Sequence, residues 1–189
     1  MTKQRLEAFS DGVIAILITI MVLELHAPAG GDLGALRPLV PALLSYLLSF
    51  IYLGIYWNNH HHMLHATRHV SGGVLWANLH LLFWLSLVPF MTRWLGEHYT
   101  SPVPTAIYGV VLFLAAVSYT ILQSMIIAVD GNESTLARAV RNDAKGKASL
   151  ALYASAIALA FVRPWIADLI YVLVAGIWLV PDKRIERVL

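Results

Sequence analysis

Long apolar segments restrict the fold of this chain more than any other feature of the sequence. A helix needs about 20 mostly apolar residues to cross a bilayer. Of the 189 residues, 59% are hydrophobic and only 13% are charged, whereas about a quarter of a typical soluble chain is charged. Six segments are candidate membrane-spanning helices: residues 6–26, 39–60, 74–95, 103–129, 147–162 and 164–180. The sequence therefore predicts an all-α membrane protein with six transmembrane helices in a single domain, residues 1–189.

The last two segments are short and are separated only by Arg163 and Pro164. Proline fits the first turn of a helix and disfavours a helical conformation in the residue before it. We therefore expect a tight turn at Arg163 and a new helix from Pro164. The alternative is one kinked span of about 34 residues, which would need a strong tilt.

The distribution of basic residues predicts the orientation of the chain. With six spans both termini lie on one side, and basic loop residues mark the cytoplasmic side. One side would hold Lys3, Arg5, Arg68, Arg138, Arg141, Lys145, Lys147, Lys183, Arg184 and Arg187. The other would hold only Arg37, Arg93 and Arg163. Both termini are therefore predicted to be cytoplasmic.

The composition also argues against several classes of function. The chain has no cysteine, which excludes disulfides, thiolate metal sites and cysteine nucleophiles. A net charge of +2 gives no reason to expect a nucleic-acid partner. No Asp, Glu, Lys or Arg lies near the middle of a predicted span and no internal repeat is visible, which argues against a secondary transporter. An intramembrane enzyme would need a nucleophile or a metal triad within the membrane, and only the histidines at the end of the second span come close to this requirement.

The start of the first span carries Arg5, Phe9, Ser10 and Asp11. Ionisable residues are costly at such a position and are usually functional or paired. This Arg-x-x-x-Phe-Ser-Asp pattern resembles the signature of the transmembrane protein 175 family of potassium channels, found in prokaryotes and lysosomes. Trp57, His60 and His61, with the later Asn78-Leu79 and Pro89-Phe90 pairs, extend the resemblance over about the first 95 residues. The remaining helices match the family mainly in hydropathy and number.

The resemblance implies passive, potassium-selective flux through a homotetramer in the plasma membrane of a prokaryote, with no enzymatic activity and no cofactor. In the family, helix one lines the pore on a four-fold axis. The aliphatic constriction of the family falls on Ile16, Ile20 and Leu23, and its polar pore residue on Thr19. A serine that some relatives carry is Ala15 here.

The residues of helix one leave a second interpretation open. Phe9, Val13, Ile16, Ile20 and Leu23 recur at spacings of three and four and form one stripe, but such a stripe is also ordinary membrane-helix packing. The sequence has no Thr-Val-Gly-Tyr-Gly segment for a carbonyl filter. A narrow apolar ring could instead block the pore by dewetting, and the Thr19 hydroxyl could replace part of the water of an ion.

The motif at the cytoplasmic end also has two interpretations. Arg5 could reach Ser10, Asp11 or carbonyls of neighbouring helices and pin the end of helix one, which is the role that the resemblance implies. Asp11 could instead attract cations. We favour the pinning role.

Five histidines, at positions 60, 61, 62, 65 and 69, crowd the end of the second span. His61, His65 and His69 recur every four residues, so neighbouring pairs could hold zinc or titrate near neutral pH and gate a proton or cation pathway. No His-Glu-x-x-His motif is present and no metal site is predicted. The simpler interpretation is hydrogen bonding to the Arg5–Asp11 network, to Trp57 or to Asn78.

Overall fold

The structure is a computed structural model that describes residues 2–140 and 143–179, and every regular element in these ranges is a helix. The helices are α1 Lys3–Leu23, a 3₁₀ helix Leu33–Leu39, α2 Val40–Ala66, α3 Gly72–Ser86, α4 Val88–Glu97, α5 Pro102–Asp130, α6 Thr135–Val140, α7 Ala144–Ala160 and α8 Pro164–Leu179. The end of the sixth predicted segment, Val180, lies outside the described residues, as do Arg141, Lys183, Arg184 and Arg187.

Four helical stretches of the described chain are long and apolar enough to cross a membrane. They are α1, the 3₁₀ helix with α2 (Leu33–Ala66), α3 with α4 (Gly72–Glu97), and α5. The helices α7 and α8 correspond to the fifth and sixth predicted segments but have only 17 and 16 residues. The chain is thus an all-helical protein with several membrane-spanning helices.

The third predicted segment, 74–95, is broken into two helices. Helix α3 ends at Ser86 and α4 begins at Val88, with Pro89 in its first turn. Proline lacks the N–H that would bond to the carbonyl of Leu85, and its ring crowds that carbonyl. The predicted span lies within the stretch Gly72–Glu97, which is long and apolar enough to cross a membrane, but the turn at Leu87 was not predicted.

Helix α2 continues six residues beyond the predicted end at His60, so that the histidines at positions 60, 61, 62 and 65 are all helical. This stretch is polar but contains no glycine or proline before Gly72, and hydropathy marks the limit of a bilayer rather than the end of a helix. The carboxylate of Asp130 accepts hydrogen bonds from the backbone N–H groups of Arg68 (2.8 Å) and His69 (3.0 Å) just after the helix.

The turn predicted at Arg163 is confirmed. Helix α8 begins at Pro164, and the N–H of Arg163 donates to the carbonyl of Leu159 at 2.9 Å. Helices α7 and α8 pack against each other as a pair, so the single kinked span does not form.

Helix α5 packs against α3, α4, α7 and α8. Tyr52, Tyr108 and Tyr171 are among the largest fully buried side chains. The Tyr171 hydroxyl donates to the carbonyl of Thr105 at 3.0 Å and passes so close to Gly109 that a Cβ there would collide with it. Helix α1 packs mainly against α2, α3 and α4, which leaves one of its faces without a neighbour.

Candidate ion pathway

Helix α1 has one buried face and one uncovered face. The buried face carries Leu6, Ser10, Ile14, Leu17 and Met21. The uncovered face includes four large apolar side chains: Phe9 is 47% exposed, Ile16 57%, Ile20 39% and Leu23 77%. A protomer therefore presents a long apolar strip of α1 that nothing in the same protomer covers.

The predicted stripe coincides with this strip except at its border. Val13 is only partly exposed and packs against the core. Ile18, which lies off the stripe, also packs against the core. Thr19 is on the uncovered side, and its hydroxyl donates to the carbonyl of Ile16 at 2.8 Å. The lone pairs of that hydroxyl oxygen therefore remain able to contact a cation.

A buried hydrogen-bond chain holds the opposite face of α1. The Ser10 hydroxyl donates to the carbonyl of Leu6 (2.9 Å) and accepts from Asn78 Nδ2 (2.9 Å). Asn78 Oδ1 lies 2.7 Å from His60 Nε2. An amide oxygen can only accept, so the proton of His60 at this contact resides on Nε2. All three side chains are fully buried, and together they join α1, α2 and α3.

The two charged residues of the motif are not paired within the protomer. Arg5 is exposed and makes no ion pair or hydrogen bond with the described residues. One carboxylate oxygen of Asp11 is buried and has no hydrogen-bond partner among them. Six residues span roughly 1.7 helical turns, so the two side chains leave α1 on different faces. The predicted Arg5–Asp11 pair therefore does not form here, and Asp11 instead interacts electrostatically with His60.

A second contact at the same end of α1 was not predicted. His61 Nδ1 lies 3.0 Å from Glu7 Oε1, and its ring stacks on those of Trp57 and His65, with centroids 6.3 and 6.2 Å apart. Lys3 Nζ donates to the carbonyl of His65 at 2.6 Å. Glu7 and Ser10 are three residues apart and therefore lie on one face of α1. This spacing is the sequence signal that could have indicated that Glu7 also contacts a neighbouring helix.

The four-residue spacing of the histidines does not continue along one helix, because α2 ends at Ala66. His69 is outside α2, and its Nδ1 lies 3.1 Å from Asp130 Oδ1. Within the described ranges, no group of three His, Asp or Glu side chains is arranged to hold a metal ion. The hydrogen bond between His60 and Asn78 confirms the simpler interpretation for that residue.

The other end of α1 is held by charged residues that sequence reasoning missed. Glu24, which directly follows the helix, accepts from Arg93 Nη1 at 2.8 Å, and Arg93 Nε donates to Glu97 at 2.9 Å. The i,i+4 spacing of Arg93 and Glu97 is a recognisable signal, whereas nothing in the sequence predicted the contact with Glu24. Both ends of α1 are thus fixed while its apolar strip stays uncovered.

Comparison with known proteins agrees with this geometry. Residues 5–89 match the family model of the endosomal/lysosomal potassium channel TMEM175. A protein of Chryseobacterium sp. strain P1-3 that is named a potassium channel is 53% identical over 187 residues, which cover 99% of this chain and 97% of that protein. A protein of Chamaesiphon minutus, also named a potassium channel, is 31% identical over 175 residues, which are 86% of each chain.

A solved structure matches almost the entire chain. The crystal structure of a Chamaesiphon minutus homologue of TMEM175, a lysosomal potassium-selective channel, superposes with a TM-score of 0.84. The match is 28% identical in sequence and covers 95% of this chain and 97% of the other. Sequence and structure therefore agree that this chain belongs to the TMEM175 family.

Proposed function

We propose that this chain is a potassium-selective channel in which cations pass along the uncovered face of α1. The observation that carries the proposal is the strip of Ile16, Ile20 and Leu23 with Thr19 beside it, exposed in a protomer of the TMEM175 family. The bacterial relatives that are named potassium channels support the choice of ion. Flux is passive and potassium is the permeant ion, and the protein works without a cofactor or enzymatic activity.

The pore requires several copies of the chain, because one α1 cannot enclose a path. Closed cyclic symmetry is the usual solution for identical subunits. We propose a homotetramer in which the four α1 strips meet on the axis. The uncovered apolar face supports this arrangement, since contiguous exposed apolar surface marks interaction sites. Lipid is the other neighbour that could cover this face in a membrane.

The rings formed by Ile16, Ile20 and Leu23 constrict the pore. A narrow apolar ring excludes water and closes the path by dewetting. The Thr19 hydroxyl already donates within the helix, so its oxygen faces the axis as an acceptor and replaces part of the hydration of a potassium ion. Ala15 contributes no second hydroxyl one turn earlier, so selectivity rests on one ring of hydroxyls.

The Ser10–Asn78–His60 chain, with Trp57 and His61, positions α1 and does not bind the ion. Support comes from burial: Ser10, Asn78 and His60 are fully buried in the protomer, and Ser10 lies on the covered face of α1. Phe9 and Arg5 lie on the uncovered side and contribute to contacts between copies. Asp11 belongs to the positioning group because its buried oxygen lies on the His60 side.

In the membrane, we propose six spans in one domain of residues 1–189, with both termini cytoplasmic, in the plasma membrane of a prokaryote. The basic residues Lys3, Arg68, Arg138 and Lys147 support this orientation. Helices α7 and α8 are short but meet at a tight turn, which suits an antiparallel pair of spans.

Flux from proteoliposomes tests the function. Vesicles with the purified protein, loaded with potassium chloride and diluted into sodium chloride, should develop a potassium diffusion potential without any other gradient. A pH-sensitive dye reports the proton uptake that this potential drives through an added proton ionophore, and protein-free vesicles are the control. Absence of flux at every voltage and pH, or a requirement for a counter-ion gradient, contradicts the proposal.

A further inference from the structure

An apolar groove lies outside the proposed pore, at the end of the bundle opposite the N-terminus. It has a volume of about 530 Å³ and lies between the first half of α2, the end of α4 and the start of α8. Its lining includes Leu44, Leu48, Tyr99 and Val172. This volume is within the usual range for small-molecule sites, and α1 contributes nothing to the lining.

A single carboxylate, Asp168, interrupts this apolar lining. Asp168 is the fifth residue of α8, so it lies about 6 Å along the helix from Pro164 at the usual rise per residue. Its Oδ1 is buried and has no hydrogen-bond partner within residues 2–140 and 143–179. Ionisable residues within membrane helices are expensive and usually mark a functional site.

The nearest phenols do not satisfy this carboxylate. Tyr108 and Tyr171 are close enough to interact with Asp168 electrostatically. The Tyr171 hydroxyl, however, donates to the carbonyl of Thr105 at 3.0 Å, and the Tyr108 hydroxyl pairs with Ser49 at 2.9 Å. No basic side chain of the described residues pairs with Asp168, so a cation that pairs with it would come from outside the protomer.

We propose that this groove binds a lipophilic ammonium ion, that is, a protonated primary amine carrying an apolar chain. The ammonium would pair with Asp168 and offer up to three N–H donors to it, while the chain fills the leucine-lined groove. A bare potassium ion leaves the apolar walls unused. A zwitterionic phospholipid brings a phosphate that the carboxylate repels, so a monovalent amine fits the charge of the groove best. This site is independent of the proposed pore.

Electron paramagnetic resonance in nanodiscs tests the proposal. The full-length protein is placed in phosphatidylcholine nanodiscs at pH 7.5 with trace spin-labelled stearylamine or spin-labelled stearyl alcohol. The motionally restricted fraction of each probe is measured. We expect the protein to retain the amine over the alcohol by roughly two- to fivefold, the factor that an ion pair contributes at a partly exposed site. Asp168→Asn should bring this ratio to about one.

Two further variants keep the result interpretable. Glu97→Gln removes one negative charge at the same end of the bundle but outside the groove, and it should preserve the selectivity for the amine. Leu44→Trp, at an exposed position, fills the groove and should lower retention of the amine even where Asp168→Asn fails to fold.

Three results would overturn the proposal. They are equal retention of both probes by the unmodified protein, selectivity that survives in Asp168→Asn, and retention of a spin-labelled phosphatidylethanolamine as strong as that of the amine. A groove covered by a second copy would show no preference between the probes, and Leu44→Trp would then change the oligomeric state.

Discussion

Two isoleucines of α1, Ile16 and Ile18, share a chemical type and a helix but differ in their surroundings. Ile16 is 57% exposed on the uncovered strip, whereas Ile18 packs partly buried against the core. If the strip faces a pore, the same substitution should change ion flux at Ile16 but protein stability at Ile18.

Ile16→Asn should raise conductance and lower the preference for potassium over sodium. Four amides at one constriction would lower the dewetting barrier, and an ion would lose less water on passing. Bilayer recordings with potassium and sodium on opposite sides measure both quantities. Ile18→Asn is the matched control and should reduce protein yield without changing the selectivity of surviving channels. Equal effects at the two positions, or none at either, would remove α1 from the pore.

Arg5 and Asn78 belong to one predicted network, but Arg5 is exposed and Asn78 is fully buried. We therefore expect them to have different roles. Asn78→Leu should lower the stability of the protomer by roughly 1–3 kcal/mol, since it leaves the buried His60 Nε2–H without its acceptor and removes the donor to the Ser10 oxygen. Arg5→Ala should leave the melting temperature of the protomer nearly unchanged and weaken the assembly of copies. Thermal melts and native mass spectrometry in detergent measure the two effects. A stable tetramer of Arg5→Ala with altered selectivity would move Arg5 to the ion path.

At the scale of elements, the close approach of α5 and α8 depends on a glycine. Helix α8 can press its Tyr171 hydroxyl towards the Thr105 carbonyl only because Gly109 has no side chain. Small residues allow membrane helices to approach closely in this way. The tyrosine in turn accepts at its own carbonyl from the Tyr52 hydroxyl, at 2.6 Å, so α2 depends on the same contact.

Gly109→Ala should destabilise the protein by about 1–3 kcal/mol, the usual cost of overpacking. Gly176→Ala in α8 is the control, because a Cβ at Gly176 would meet no atom within 4 Å; alanine there should be neutral or stabilising by up to about 1 kcal/mol. Melting temperatures of the purified variants report both. Tyr171→Phe is a second variant: Gly109→Ala should cost less in the Tyr171→Phe background than in the unmodified protein, and an equal cost in both would mean that the hydroxyl is not the main obstacle.

At the scale of the whole molecule, the number of spans depends on whether the pair of α7 and α8 crosses the bilayer. Four stretches are long enough without further argument. If the pair also crosses, the turn at residues 161–163 faces the side opposite the N-terminus; if it lies on the surface, the turn faces the same side.

Thiol labelling distinguishes these two arrangements, since the chain has no cysteine of its own. Thr2→Cys and Glu133→Cys should react with a membrane-impermeant maleimide only from the cytoplasmic side. Gly31→Cys, Thr100→Cys and Phe161→Cys should react only from the outside of intact cells. Labelling of Phe161→Cys from the cytoplasmic side alone would reduce the fold to four spans.

Local chemistry accounts for most of the helices that were predicted. Apolar length located the long helices, and Pro164 placed the start of α8, because a missing N–H costs nothing in a first turn. The missing N–H of Pro89 likewise predicts a break between α3 and α4, but the hydropathy pattern alone does not show it. The spacing of Phe9, Ile16, Ile20 and Leu23 likewise predicted that they share one face.

Which face of α1 is covered could not be read from residues 13–23, because all of them except Thr19 are apolar and both faces look alike. The choice depends on polar pairs between helices distant in sequence: Ser10 with Asn78, Glu7 with His61, Glu24 with Arg93. Each pair joins partners more than 50 residues apart, which no local pattern can match. The same long-range packing placed Asp168 in an apolar groove, since the surroundings of a polar group are fixed only when the helices meet.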